Sequence, residues 1–394
     1  MNEKSRFLHT MLTVALTLVL AFALLALGGC NGESHMPDLS VGSESDNAHG
    51  ASRNQAENAS TKTITDMVGR TLDVPLNATR IVGYGSVPLR TISYLGATDL
   101  VVGVEMAEQE DYVACGYRHV NVDTFKQLPV IGEGGSKGVT PNEEALALVA
   151  PQIVFASIDK DAADSLQDKT GIPVVCIVQN DKIFDDQYYD AIKLIGGLIN
   201  KEDRANELVK YLQDTQKDLA GRAAAASGSG TKTAYAAGIS FRGGHGFAGT
   251  EAQFPPFVET KVINIADVSG QAGAFDIDIE QILAAQPEYI FVETSNLSLV
   301  KDDYINNPAY FSSLNAVATG NTFSLVSYRF YGANIELAIA NCYQVGAVVY
   351  PDAFSDIDPT KKLDQISTFF LGKPLSADLA AEGYEFKQLE FAAL

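Results

Sequence analysis

Hydrophobic and polar positions first alternate around Val68-Gly69, where Ile64-Thr65-Asp66 and Thr71-Leu72-Asp73-Val74 flank a turn and predict a hairpin. Beyond it, short apolar runs take turns with helix-period stretches. Arg80–Tyr84 reads as a strand, Val87–Leu95 as a helix ended by Gly96, and Leu100–Val104 as the next strand. The series continues through Ile153–Ala156, a helix near Asp161–Thr170, and Val174–Val178. This β-α-β order predicts a parallel sheet with helices on both faces over residues 62–185. From Asp186 to about Ala225 the period becomes helical. Tyr189, Ile192, Ile195 and Ile199 line one face, Leu208, Tyr211, Leu212 and Leu219 the next, and Gly196-Gly197 is a candidate kink. Ser227–Gly230 breaks the chain, and the strand Thr233–Gly238 opens a second series over 231–394. The expectation is an α/β fold of two Rossmann-like lobes joined by a long rigid helix at 186–226.

One segment occurs twice. Asn142-Glu143-Glu144 through Pro151 to Phe155 reads as a capped short helix, a proline and a buried strand. Asp278-Ile279-Glu280 through Pro287 to Phe291 reads the same way. Each copy sets one glutamate, Glu144 or Glu280, in a helix's first turn. Complementing the helix dipole is worth about 0.3–1 kcal/mol there. Thr140-x-x-Glu143 predicts a capping box that leaves Glu144 free for a partner.

The chain begins with Lys4 and Arg6, then an apolar run from Met11 to Leu27. These are secretory-signal features. Leu27-Gly28-Gly29-Cys30 resembles the lipobox of bacterial lipoproteins, which implies cleavage of residues 1–29 and a lipid on Cys30. An uncleaved anchor is the alternative, and both place the remainder outside the cytoplasm. Residues 30–61, rich in Ser, Asn, Gly, Glu and Asp, predict a flexible tether.

Net charge is −21 over 394 residues. This excludes nucleic acid and anionic lipid surfaces as natural partners. Apart from Cys30 the cysteines are Cys115, Cys176 and Cys342, without metal-ligand spacing, and no bridge is assigned. His119 and His245 are the only histidines beyond the tether, so a site of three or more histidines is excluded. Two segments carry candidate chemistry. Phe241-Arg242-Gly243-Gly244-His245-Gly246 follows a strand directly, so Arg242 can pair with an oxyanion and His245 with a metal or chelate. Tyr328-Arg329-Phe330-Tyr331 follows another strand, and its aromatic and cationic side chains suit a planar or aryl-bearing ligand. Gly132–Gly138 lacks P-loop spacing.

The chain resembles the helical-backbone (class III) substrate-binding proteins of bacterial ABC importers for ferric siderophores, haem and cobalamin. The resemblance rests on Ile64-Thr65-Asp66-x-x-Gly69-Arg70, Pro75-x-x-x-x-Arg80-Ile81-Val82, Leu95-Gly96-Ala97-x-Asp99-x-x-Val102-Gly103-Val104 and the two glutamate segments. It spans about residues 62 to 372. It implies a ligand cleft between the lobes, with Tyr84, Gly85 and Ser86 at the first rim and Arg242, His245, Arg329 and Tyr331 facing them. It also implies that Glu144 and Glu280 dock on arginines of a permease served by its ATPase. The expected protein is a receptor with no catalytic residues, no metal site and no cofactor beyond its chelate cargo. It sits on the extracytoplasmic membrane face through the lipid on Cys30. Within that class a molybdate or tungstate receptor is the alternative. No G-x-S-x-G or H-E-x-x-H marks an extracytoplasmic enzyme, although abundant Asp and Glu leave a carboxylate pair open.

Overall fold

The N-terminal hairpin is β1 (Thr61–Thr65) against β2 (Thr71–Pro75), with Ile64 opposite Leu72. It comes from a computed structural model that describes residues 60–178 and 182–393. The signal segment, Cys30 and nearly all of the expected tether lie outside the described residues. Gly69 turns the hairpin at φ 82, a left-handed value that glycine takes at no steric cost. Asp66 and Arg70 then fasten it to the body. Arg70 bonds Asp66, Asp164, Gln167 and the Val174 carbonyl, and Asp66 accepts the Cys176 amide at 3.1 Å. The sequence signature Asp66-x-x-Gly69-Arg70 is therefore a structural clasp.

The first lobe runs through β3 (Ile81–Tyr84), α1 (Ser86–Tyr94), β4 (Val104–Glu105), α2 (Gly116–Phe125), β5 (Val130–Gly132), α3 (Glu143–Val149), β6 (Ile153–Ala156), α4 (Lys160–Thr170) and β7 (Val174–Cys176). Its parallel sheet has the order β3-β6-β7, and β4 pairs with β5 alongside, reached by a bridge from Ile81 to Val101.

The expected single linking helix is two helices, α5 (Asp186–Leu198) and α6 (Glu202–Ala225). The break falls at Asn200, which takes φ 57, and not at Gly196-Gly197. Gly196 instead permits close packing, because a Cβ there would stand 2.7 Å from that of Ala205.

The second lobe holds β8 (Thr233–Ala237), β9 (Gly249–Glu251), α7 (Pro255–Thr260), β10 (Ile263–Asn264), β11 (Ala274–Asp276), α8 (Ile279–Ala285), β12 (Tyr289–Glu293), α9 (Leu297–Asn306) and β13 (Thr322–Leu325). Its parallel sheet has the order β10-β8-β12-β13. The helices α10 (Ile335–Val349), α11 (Pro359–Leu371) and α12 (Ser376–Ala381) complete the chain.

Strand side chains alternate between two cores, as the period of two requires. In β6, Ile153 and Phe155 face one core while Val154 and Ala156 face another. In β12, Phe291 faces the first of these and Ile290 and Val292 a third. The first core is shared. It gathers Leu89 and Ile92 of the first lobe, Ile195 and Leu212 of the link, Phe257 and Phe291 of the second lobe, and Leu337 and Phe370 near the end. Cys115, Cys176 and Cys342 are buried free thiols. Among the described residues no helix is long and apolar enough to cross a membrane.

Candidate functional site

Open parallel sheets bind ligands outside the carboxyl ends of their strands, where the strand order reverses. In the first lobe the chain leaves β3 for β4 on one side and β6 on the other, so the reversal lies between β3 and β6. The residues there are Gly85, Ser86 and Ser157. In the second lobe the reversal lies between β8 and β12. Here Asn296 Nδ2 donates to the Gly238 carbonyl and to Ser240 Oγ, both at 2.7 Å. Ser327 Oγ donates to Ser295 Oγ at 2.5 Å, and the Ser240 amide donates to Glu293 at 3.0 Å. Burial pushes the Glu293 carboxyl up to about 7.

The loop after β13 joins the two crevices. Arg329 bridges to Ala333, and between them Tyr331 reaches the first lobe. Its hydroxyl donates to Glu105 Oε2 at 3.0 Å, the same oxygen that accepts the Gly85 amide at 2.8 Å. Arg90, fully buried, donates to the Tyr331 carbonyl at 2.7 Å and to Asn334 Oδ1 at 3.3 Å. The Arg118 guanidinium lies 5.3 Å from the Phe330 ring centre and 5.5 Å from that of Tyr331, and Tyr112 packs on Phe330 at 4.1 Å. Tyr112 and Arg118 of the first lobe therefore meet Phe330 and Tyr331 of the loop after β13.

The sequence-derived candidates fare unequally in this geometry. Tyr84 ends β3 as expected, but its side chain is enclosed and donates to the Ile131 carbonyl at 2.8 Å. It shares a face with Val82 inside the first lobe's own core, so the rim passes to Gly85 and Ser86. His245 has both ring nitrogens engaged, Nδ1 with Asp276 at 2.9 Å and Nε2 with the Phe241 carbonyl at 2.8 Å. Its ring stacks on Phe241, so it fastens its loop and offers no open nitrogen to a metal. Arg242 is exposed and left-handed at φ 52. Arg329 pairs with Glu251 and lies over Tyr328. Only Tyr331 touches the other lobe. Sequence reasoning missed Glu105, Arg90 and Arg118, although Glu105 directly follows a predicted strand, where crevice residues belong. Among the described residues no three His, Cys, Asp or Glu side chains converge to hold a metal ion.

The repeated helices match in detail. Asn142 caps α3 by accepting the Ala145 amide, and Asp278 caps α8 by accepting the Glu280 amide. The cap of α3 is thus Asn142 and not the expected Thr140 box, because Thr140 bonds the Glu133 amide. Glu144 and Glu280 are both exposed, and Leu148, one turn beyond Glu144, is 86% exposed.

The family model described as periplasmic binding protein matches residues 81–328, more than half the chain. The chain belongs to the periplasmic binding protein family. Solved periplasmic binding proteins share its fold. FepB of Veillonella parvula, described as TroA-like, is 22% identical with a TM-score of 0.64, covering 83% of this chain and 99% of that one. Molybdate-bound MolA of Haemophilus influenzae is 20% identical with a TM-score of 0.61, covering 79% and 98%. Haem-binding HutB of Vibrio cholerae is 18% identical with a TM-score of 0.51, covering 69% and 99%. No curated protein sequence matches the chain. Family membership implies an extracytoplasmic location.

Proposed function

We propose that this periplasmic binding protein is the lipid-anchored cargo receptor of an ABC importer. It captures a metal chelate such as a ferric siderophore, haem or a corrinoid and hands it to a permease with its ATPase. The observation that carries this reading is the meeting of the two lobes beside their strand ends, where Tyr112 packs on Phe330 and Arg118 lies against the rings of Phe330 and Tyr331. Rings and guanidinium groups of this kind suit a large ligand with aryl or planar faces. The exposed Glu144 and Glu280, on matched helices of the two lobes, support docking on permease arginines. Residues 1–29 serve as the lipoprotein signal and Cys30 carries the lipid. The reading assigns no chemical step to the protein.

Arg242 favours a second reading. An exposed arginine on a glycine loop fits a molybdate or tungstate oxyanion. Purified residues 31–394 separate the two by ultraviolet–visible absorbance and native mass. Absorbance that is retained or gained with haem, a ferric chelate or a corrinoid, with a matching mass adduct, supports the chelate receptor. A protein that ignores all three yet gains thermal stability with molybdate overturns it. Ligand at 100 times its Kd should add about 2.7 kcal/mol.

A further inference from the structure

We propose that Glu105 is a cargo-contacting carboxylate of the first lobe, and that the cargo meets it with a hydrogen-bond donor, a hydroxyl or amide N–H on its periphery, and not with a bare oxyanion. The inference rests on the receptor reading above and names the chemistry of the ligand surface. Glu105 ends β4 beside the crevice of the first lobe and is fully buried. Its Oε2 is held by two neutral donors, the Gly85 amide and the Tyr331 hydroxyl. Its Oε1 has no hydrogen-bond partner among the described residues. A buried carboxylate oxygen left so is destabilising, because it has given up its water without a replacement donor.

The neighbouring arginines do not neutralise it. Arg118 lies 3.5 Å from Glu108, Arg329 pairs with Glu251, and Arg90 stands within electrostatic reach of Glu336. Among the described residues Glu105 accepts from an amide and a hydroxyl and from no arginine. A second anion brought against it would meet like-charge repulsion in a poorly solvated place. A donor would satisfy the orphaned oxygen.

Tyr331 and the Gly134 loop cover Glu105, and cargo reaches the carboxylate by displacing them. Tyr331 takes φ 54, a left-handed value that is strained for a non-glycine residue. Gly332 beside it and Gly134 and Gly135 opposite all have positive φ. A Cβ on Gly134 would stand 2.8 Å from the Glu105 side chain and 2.9 Å from the Tyr331 hydroxyl, so glycine is what lets the cover close.

The test measures binding of four probes, ferric tris(acetohydroxamate), cobalamin, haemin and molybdate, to the wild-type protein, to Glu105→Gln and to Glu105→Ala. Ferric tris(acetohydroxamate) and cobalamin carry peripheral N–H donors. The wild type is expected to bind one of these two, Glu105→Gln to bind it about tenfold more weakly or worse, and Glu105→Ala to bind it at least as weakly as Glu105→Gln. Thermal melts confirm that each variant is folded. If Glu105→Gln does not fold, Glu105→Ala, which buries no polar group, carries the test, and wild-type affinity in that variant would overturn the inference. Wild-type affinity in Glu105→Gln, or molybdate as the probe that binds, also overturns it while leaving a receptor in place. Failure of all four probes on the wild type counts against the receptor reading itself.

Discussion

Ala150 and Gln286 close matching helices in the same left-handed turn, at φ 43 and φ 44, and each returns its amide to the carbonyl four residues back. They stand at the same offset as Glu144 and Glu280, so the internal repeat extends to backbone geometry. Left-handed conformation costs an alanine about 1–2 kcal/mol, more than glycine loses through its freer unfolded state. Ala150→Gly is therefore expected to stabilise the protein by about 0.5–1 kcal/mol in urea titration. Gln286→Gly should not, because Gln286 also bonds Ser313 and Asn315.

Reversing both candidate docking charges, Glu144→Arg with Glu280→Arg, is expected to abolish import while cargo affinity stays within about twofold. Each reversal also opposes a helix dipole, at about 0.3–1 kcal/mol. Uptake by cells carrying the double variant, beside a melt and a binding titration of the purified protein, measures all three. Normal uptake would remove these residues from the permease interface.

The clasp around Arg70 is almost solvent-free, with side-chain exposure of 4% for Arg70 and none for Asp66. Arg70→Ala leaves Asp66 buried beside the strand end it holds. The expected loss is about 3–5 kcal/mol in chemical denaturation. Cargo affinity in the surviving folded fraction should be unchanged, since the clasp lies on the far side of β7 from the crevice loops.

Burial raises the Glu293 carboxyl from 4.5 to about 7. A carboxyl that holds its proton more tightly when folded stabilises the protein fully below about pH 4.5, and that stabilisation is lost as pH rises through 7. The slope between these values is about 1.4 kcal/mol per pH unit for one group. Urea titrations at pH 5, 6, 7 and 8 should show stability falling more steeply in wild type than in Glu293→Gln. Equal slopes would mean that Glu293 is ionised throughout.

The periodic elements were legible in the sequence because each follows from neighbours a few positions apart. The hairpin, the β-α-β order and both glutamate segments appear where their patterns predict them. The parity of β3 also contained the answer for Tyr84, which shares the face of Val82 and must be buried with it. The crevice was not legible, since its contacts join distant residues. Glu105 meets Tyr331, and Arg90 meets Asn334, across more than 220 positions. His245 looked like a ligand for the same reason, because its partner Asp276 comes from a strand 31 residues on. The break at Asn200 had a signal that was passed over, since asparagine is several-fold enriched among non-glycine residues in left-handed turns.

The core that runs from Ile64 to Leu379 also sets an order of events in time. A chain that emerges amino end first exposes the inner face of the first lobe long before its packing partners on α10 and α11 exist. Helix α1, which carries Leu89 and Ile92, packs on α11 as well as on α2 and α5, so its cover stays incomplete until the last sixty or so residues arrive. Folding is thus completed after the whole chain has been delivered, which suits a protein threaded unfolded across a membrane. A chain ending at residue 330 is therefore expected to aggregate, because the shared core lacks its last helices.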